Sequence, residues 1–292
     1  MSSARGRGPW KIRRGTLEDE ARLRDLCVAA VGPDDYVLSI LHHVLAKETT
    51  LLAFEGPRLV GSMTYRELPD ASGWLAAART HPDVRRQGVS TALVAMCERL
   101  ARRRGVGPLR LWTNATNASG VAAFRKAGFR EIARFARLGR PSEPRGPAPG
   151  VETASYAHDL ARRVAASPLV RAGAGFVNHD YAFLRLRPAA LRSLCRRRAL
   201  RTWGRRAALV TDVSETFDAR VIDVTPVLGT FRGVLGDAPR IAASLGKDRV
   251  ETFLPRRPEV LRTALDLGYR PMSWGDEAIL CEKPVLRNRH IR

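Results

Sequence analysis

The chain has 292 residues, 45% of them apolar, with 50 Lys and Arg against 29 Asp and Glu for a net charge of +21. That apolar content supports packed cores rather than disorder, and the length suits one large or two ordinary domains, of which two is the expectation here. No apolar run reaches the roughly 18 to 20 residues of a membrane span, and the opening MSSARGRGPWK lacks the apolar stretch of a signal peptide, so a cytoplasmic location without membrane contact is expected.

A strongly basic chain raises nucleic acid as a partner, because lysine and arginine release counterions from phosphate backbones. The excess is spread evenly, however. Residues 1–150 carry 25 basic against 14 acidic side chains and residues 151–292 carry 25 against 15, that is +11 and +10, with no basic tail. One dense group, Arg192 to Arg206 with seven arginines on an expected helix, reads as a solvated face or a docking surface for an acidic partner. Nucleic-acid binding is kept only as an alternative. Cys27, Cys97, Cys195 and Cys281 lie far apart without C-x-x-C spacing, so buried thiols are expected and neither a disulfide framework nor a metal.

In chain order, PWKIRRGT reads as a strand and LEDEARLRDLCVAAV as a helix with apolar residues at Leu23, Leu26, Cys27 and Val31. PDDYVLSILHHVLAKE reads as a second helix, started by Pro33 and Asp34. TTLLAFEG and RLVGSMTYREL form an antiparallel hairpin across a Gly-Pro turn, and GWLAAART is a further strand. The turn HPDVRRQGVS then leads into a helix ending at Gly105, a strand PLRLWTNA, a helix NASGVAAFRKAG and a strand FREIARFARL.

GRPSEPRGPAPG, Gly139 to Gly150, holds four prolines and three glycines and reads as a linker or long loop. Beyond it the strands RAALVTDV and ARVIDVTPVLG, a helix FRGVLGDAPRIAASLG, a strand RVETFLP, a helix PEVLRTALDLG and a terminal strand pair in YRPMSWGDEAILCEKP repeat the earlier order. Gly105 to Gly128-Phe129 spans 23 residues and Gly246 to Gly268-Tyr269 spans 22, the mark of an internal duplication. The expected class is α/β, a mixed and largely antiparallel sheet flanked by helices, with one unit over 1–140, a linker over 141–150 and a second unit over 151–292.

Amides are nearly excluded from this composition, with one glutamine and four asparagines, yet Gln87, Asn114 and Asn117 fall in two short segments. A strand that turns through Arg85-Arg86-Gln87-Gly88-Val89-Ser90 into a helix leaves backbone N–H groups unpaired at the helix start, where anions bind. Gly88 lacks the Cβ that would block close approach, Ser90 is small, and two arginines add charge. A pyrophosphate is the expected ligand.

As a set these segments resemble the GNAT acetyltransferase superfamily over roughly residues 10 to 138. THPDVRRQGVSTAL matches its acetyl-coenzyme A loop and NASGVAAFRKAGF its N-x-x-A-x-x-x-Y-x-K-x-G-F segment, while the second half looks like a degenerate copy because LGTFRGVLGD lacks the R-x-x-G-x-G loop. The resemblance implies an N-acetyltransferase that uses acetyl-CoA as cosubstrate, needs no metal, and lets a primary amine attack the thioester directly. It implies pantetheine pairing with backbone around Ala78 and Thr80, Asn117 on the cofactor's arm, and Arg85, Arg86, Gln87, Gly88, Val89 and Ser90 around the pyrophosphate.

The pattern departs at Phe124, which stands in the cofactor site where relatives carry a tyrosine as acid, and at Ala76 and Ala77, where some relatives place a glutamate base. Tyr65, Glu67 and His81 are the remaining candidates for proton transfer. A non-catalytic acyl-CoA-binding or regulatory module is therefore the second reading. The acceptor is an unidentified amine, small molecule or protein, and a basic cleft would favour an acidic one.

Overall fold

In the computed structural model, residues 10–285 are described apart from 145, 213–217 and 274. The chain starts with strand β1 (Lys11–Arg14) and helix α1 (Glu20–Ala30), whose Leu23, Leu26 and Cys27 are buried. The expected second helix is broken. Asp35, itself buried, accepts the Val37 N–H at 3.1 Å and so caps a short 3-10 turn over Tyr36–Ser39. Such side-chain caps compete with a continuing helix, and only after Ile40 (φ −120°) does α2 (Leu41–Ala46) form. Strands β2 (Thr49–Glu55) and β3 (Arg58–Glu67) make the expected hairpin, and β4 (Gly73–Thr80) pairs antiparallel with β3.

Helix α3 (Val89–Arg103) lays Val89, Leu93, Val94 and Cys97 on the sheet, and is followed by β5 (Leu109–Asn114), α4 (Ala118–Lys126) and β6 (Arg130–Pro141). Strand β6 continues through Gly139, Arg140 and Pro141, so the expected linker begins later than its composition indicates. Gly139 sits under Met272, whose sulfur would lie 2.7 Å from an added Cβ. Glycine there serves close packing inside a strand rather than loop freedom.

The second half runs β7 (Glu152–Thr153), α5 (His158–Ala165), α6 (Pro168–Ala172), β8 (Phe176–His179), β9 (Ala182–Arg185), α7 (Pro188–Arg196), β10 (Leu200–Trp203), β11 (Arg206–Asp212) and β12 (Val221–Leu228). It ends with α8 (Phe231–Ser244), β13 (Arg249–Pro255), α9 (Pro258–Asp266), β14 (Arg270–Pro271) and β15 (Glu277–Lys283). The arginine group is not one helix face. Helix α7 stops at Arg196, Arg198 takes φ +57°, and Arg201 and Arg206 lie on strands facing Thr153 and Asp237.

The duplication is visible in the backbone. Gly105 and Gly246 end α3 and α8 with φ +66° and +68°, Gly128 and Gly268 follow α4 and α9 with φ +91° and +84°, and Phe129 and Tyr269 are both buried. Positive φ at these helix ends is the conformation that glycine adopts without strain.

Apart from β8 and β9, which make a separate two-stranded sheet, the described strands form one large, mostly antiparallel sheet in the order β1-β2-β3-β4-β5-β15-β6-β13-β12-β11-β10-β7, with β14 beside β6. The expected terminal pair does not form: β14 and β15 each pair with β6, not with each other. Strand β15 lies between β5 and β6, so the end of the sequence completes the sheet of the first half, while the far part of β6 pairs with β13 of the second. The halves therefore share one continuous sheet, and residues buried along their seam, such as Phe135, Phe183, Phe253 and Leu280, belong to a single core. Among the described residues no helix is long and apolar enough to cross a membrane.

Candidate active site

Strands β4 and β5 run parallel but pair at only two positions, Gly73 with Leu109 and Trp74 with Arg110, before they part. The cause lies in β4: Ala77 takes φ +50°, and the register against β3 shifts between Ser62 and Thr64. A bulge of this kind bends a strand and ends its pairing. The opening leads into a cavity of 740 Å³, within the range of small-molecule sites. The first half lines it with Ala76, Ala77, Ala78, Asn117 and Phe124 among others, and the second half adds Asp180, Tyr181, Arg249 and Glu251.

Helix α3 starts beside this gap. Gly88 is its N-cap at φ +93°, no described side chain caps it, and a Cβ at Gly88 would meet nothing within 4 Å. The first-turn amides from Val89 onward are thus available to an anion, assisted by the positive end of a fifteen-residue helix. Gln87 is placed differently. Its backbone N–H donates to the Val84 carbonyl at 3.3 Å and its side chain to the Asp83 carbonyl at 3.0 Å. Arg85 donates to the Ala30 carbonyl at 2.7 Å, and Arg86 is exposed at φ +65°.

Ala78 lines the cavity, whereas Thr80 lies farther along β4, paired with Gly61, and is not part of the lining. Asn117 lines it too, but its side chain also caps α4: Oδ1 accepts the Gly120 N–H at 3.0 Å, and Nδ2 donates to Thr113 at 3.2 Å. Phe124 faces the same space, edge-on to Phe129 at 5.9 Å.

The second half repeats the geometry without the opening. Strands β12 and β13 pair from Val221 with Arg249 to Asp223 with Glu251 and then part, but α6 and β8 pack against β12 and only 10 Å³ remains. That is about the room of one water. The start of α8 is also closed, since the Thr230 hydroxyl takes the Gly233 N–H at 3.0 Å and a Cβ on Gly233 would lie 2.6 Å from Arg206 Nε.

The three residues that the sequence offers for proton transfer are set apart from the cavity lining. Tyr65 is 1% exposed in the core of the first half, where burial pushes its hydroxyl up to about 12. Glu67 is tied to Arg104 at 2.6 Å on the surface. His81 caps the turn before α3, its Nδ1 accepting the Asp83 N–H at 3.3 Å, with Arg58 at 3.0 Å.

Other groups face the cavity instead. Glu48, at the α2–β2 junction, lies 3.6 Å from His43 and 3.5 Å from Arg66, and burial lifts its carboxyl above the usual range despite those neighbours. Arg66 continues to Asp180 of the second half, donating at 2.5 Å to the carboxylate and at 2.6 Å to the main-chain oxygen. Tyr36 sits by the β4 bulge, hydrogen-bonded to the Ala77 backbone, with Arg79 5.2 Å over its ring. Tyr36 is 44% exposed as a whole, and local desolvation of its hydroxyl at the bulge holds it above the ordinary tyrosine value, so it stays protonated at neutral pH. Tyr181 donates to Glu251 at 3.0 Å.

Nothing in the sequence marks Glu48 or Arg66, which are single charges in otherwise ordinary segments. The one available signal for Asp180 and Tyr181 is a polar pair between two short apolar runs, NHDYAFL.

Residues 20–129 match the model described as the Acetyltransferase (GNAT) family. Among solved structures, the chain is similar to a candidate acetyltransferase from Thermoplasma acidophilum (14% identity, 94% of this chain and 99% of that one, TM-score 0.65). It is also similar to a GCN5-related N-acetyltransferase from Sphaerobacter thermophilus (14%, 95% and 96%, 0.61). A third is a tandem GNAT protein of the clavulanic acid biosynthesis pathway (16%, 96% and 99%, 0.54). These likenesses show a common tandem fold. A comparison with curated protein sequences finds no match.

Proposed function

Because residues 20–129 match the GNAT acetyltransferase family, we propose that the chain transfers an acetyl group from acetyl-CoA to a primary amine in the cavity its two halves share. One observation carries the reading. The β4–β5 gap and the uncapped start of α3 together offer a slot for a pantetheine arm and a seat for its pyrophosphate, and the equivalent cleft of the second half is filled. The amides from Gly88 to Ser90 and the unpaired edge of β4 near Ala78 hold the cofactor, whose thioester supplies the acetyl group. Asn117 keeps α4 in place beside it.

The acceptor arrives as an ammonium and must lose a proton before it attacks. Glu48, lifted by burial and paired with His43, takes that proton more readily than an ordinary carboxylate. The amine nitrogen then bonds to the thioester carbon, the C–S bond breaks, and the nitrogen's second proton goes to the leaving thiolate. Phe124 cannot relay it. The Tyr36 hydroxyl at the Ala77 bulge is the donor that lines the same cavity. Phe124 favours a second reading, an acyl-CoA-binding module without turnover. Four buried free cysteines support a reducing, cytoplasmic setting.

Calorimetry with acetyl-CoA tests the assignment. The wild-type chain is expected to bind at tens of micromolar or tighter, and Gly88→Trp to lose at least about tenfold, since a bulky side chain at φ +93° both strains the cap and crowds the phosphate seat. Absence of wild-type binding would sink the proposal. Unchanged affinity in the variant would place the pyrophosphate elsewhere.

A further inference from the structure

The cavity runs against the charge of the molecule that contains it. In a chain of net charge +21, its lining holds six carboxylates, those of Asp34, Asp35, Glu48, Asp180, Asp218 and Glu251, against four guanidiniums, a balance of −2 with histidine neutral. The pairing inside it is uneven. Asp35 is matched one to one by Arg79, and Glu251 is shared by Arg137 and Arg249, whereas a single guanidinium, that of Arg66, serves both Glu48 and Asp180, with His43 as the other neighbour of Glu48. With that imidazole neutral, the Glu48–Arg66–Asp180 group is one charge short of neutrality.

The fold spends strain to put Asp180 there. Strands β8 and β9 are joined by Asp180 and Tyr181 alone, and both take φ +54°. A two-residue hairpin turn requires positive φ at these positions and favours glycine or asparagine; tyrosine adopts it at a cost. Arg66 and Trp112 of the first half hold the main-chain oxygens of Asp180 and Tyr181, at 2.6 and 2.9 Å. The second half thus presses this turn into the cavity of the first.

We propose that Glu48 and Asp180, bridged by Arg66, form the seat for a cationic amine, so that the acceptor is a small amine carrying no carboxylate of its own. The proposal rests on the acetyl-transfer reading above. It replaces the acidic acceptor that the overall charge favours, because a buried wall acts on its ligand at contact distance whereas the surface arginines are screened beyond about 10 Å. An acceptor carboxylate placed beside Asp180 would add a like charge in a partly dehydrated space.

Matched probes that differ only by a carboxylate test this: 1,5-diaminopentane against lysine and 1,4-diaminobutane against ornithine, with release of the CoA thiol from acetyl-CoA as the readout. The diamines are expected to exceed the amino acids at least tenfold in kcat/KM. Asp180→Asn, which keeps a residue tolerant of positive φ, is expected to raise the diamine KM roughly tenfold and narrow that preference, while acetyl-CoA affinity by calorimetry stays at the wild-type value. Equal or better use of the amino acids, an unchanged preference in Asp180→Asn, or acetyl-CoA binding without thiol release from any diamine would each overturn the proposal. Failure of acetyl-CoA itself to bind would instead strike the acetyl-transfer reading.

Discussion

Ending the chain after Gly275 is expected to abolish acetyl-CoA binding and cooperative folding together, although every residue matched to the family lies before residue 130. Strand β15 pairs along its length with β5 on one side and β6 on the other, and buries Ala278, Ile279, Leu280 and Cys281 between the two layers of helices and loops. Burial of Ile and Leu alone stabilises by about 1.5 to 3 kcal/mol each, and the ladder hydrogen bonds add to this. Two ion pairs leave with the strand, Glu282 with the buried Arg110 at 2.7 Å and Lys283 with Glu98 at 2.9 Å. Removing Glu282 leaves Arg110 with Asp70 as its acidic partner.

The sum is comparable to the whole stability of a domain, about 5 to 15 kcal/mol. Circular dichroism melting and calorimetry on the truncated chain check it. A sharp transition with wild-type acetyl-CoA affinity would show that the first half stands without β15.

A second large effect is expected at Arg137. It lies on β6, 2% exposed, hydrogen-bonded to the equally buried Glu251 of β13, with its guanidinium over the rings of Tyr181 and Phe253. Asp223 lies close by, its carboxyl pushed well above the usual range by burial and by the charge of Glu251. Arg137→Leu removes the buried cation that faces both Glu251 and Asp223 and leaves Glu251 only the part-exposed Arg249, at a cost of about 3 to 5 kcal/mol. For a chain of this size that corresponds to a fall in Tm of roughly 6 to 20 °C. Arg137→Leu combined with Glu251→Leu is expected to regain most of the loss, because apolar side chains of similar volume commonly replace a buried pair at little cost. Thermal unfolding of both variants decides it: a single variant within about 1 kcal/mol of wild type, or a double variant no better than the single, would contradict the role given to the pair.

What could be read from the sequence follows from how locally each feature is encoded. Apolar periodicity and glycine at helix ends located α3, α4, α8 and α9, and the spacing of Gly105, Gly128, Gly246 and Gly268 exposed the repeat, because each signal sits within its own element. Periodicity alone carries the second helix across residues 33–48, because Asp35 acts as a cap by its side chain, which composition does not reveal.

The place of β15 depends on pairing between residues more than 140 positions apart, Glu277 with Ala136 for example, and a strand's sequence does not name its neighbours. The turn into α3 is legible for a similar reason to the helices: glycine, small residues and charge fall together at one helix start. The far wall of the cavity is not, since Tyr36, Glu48, Arg66, Asp180 and Glu251 come from five separate segments and meet only because the halves share a sheet. Tyr65, Glu67 and His81 illustrate the converse. Sequence proximity to the motif marks them as candidates, while strand alternation and surface ion pairing set them outside the cavity lining.

The central claim is that one half of a duplicated chain keeps a working acetyl-CoA cleft while the other half closes its own and completes the acceptor side. Amide hydrogen exchange on the full chain, with and without saturating acetyl-CoA, tests it most directly. Slowed exchange is predicted at residues 76–80 and 88–91, with no change at the start of α8 from Phe231 to Leu235. Protection at α8 in place of α3, or binding that leaves both helix starts unchanged, would contradict it.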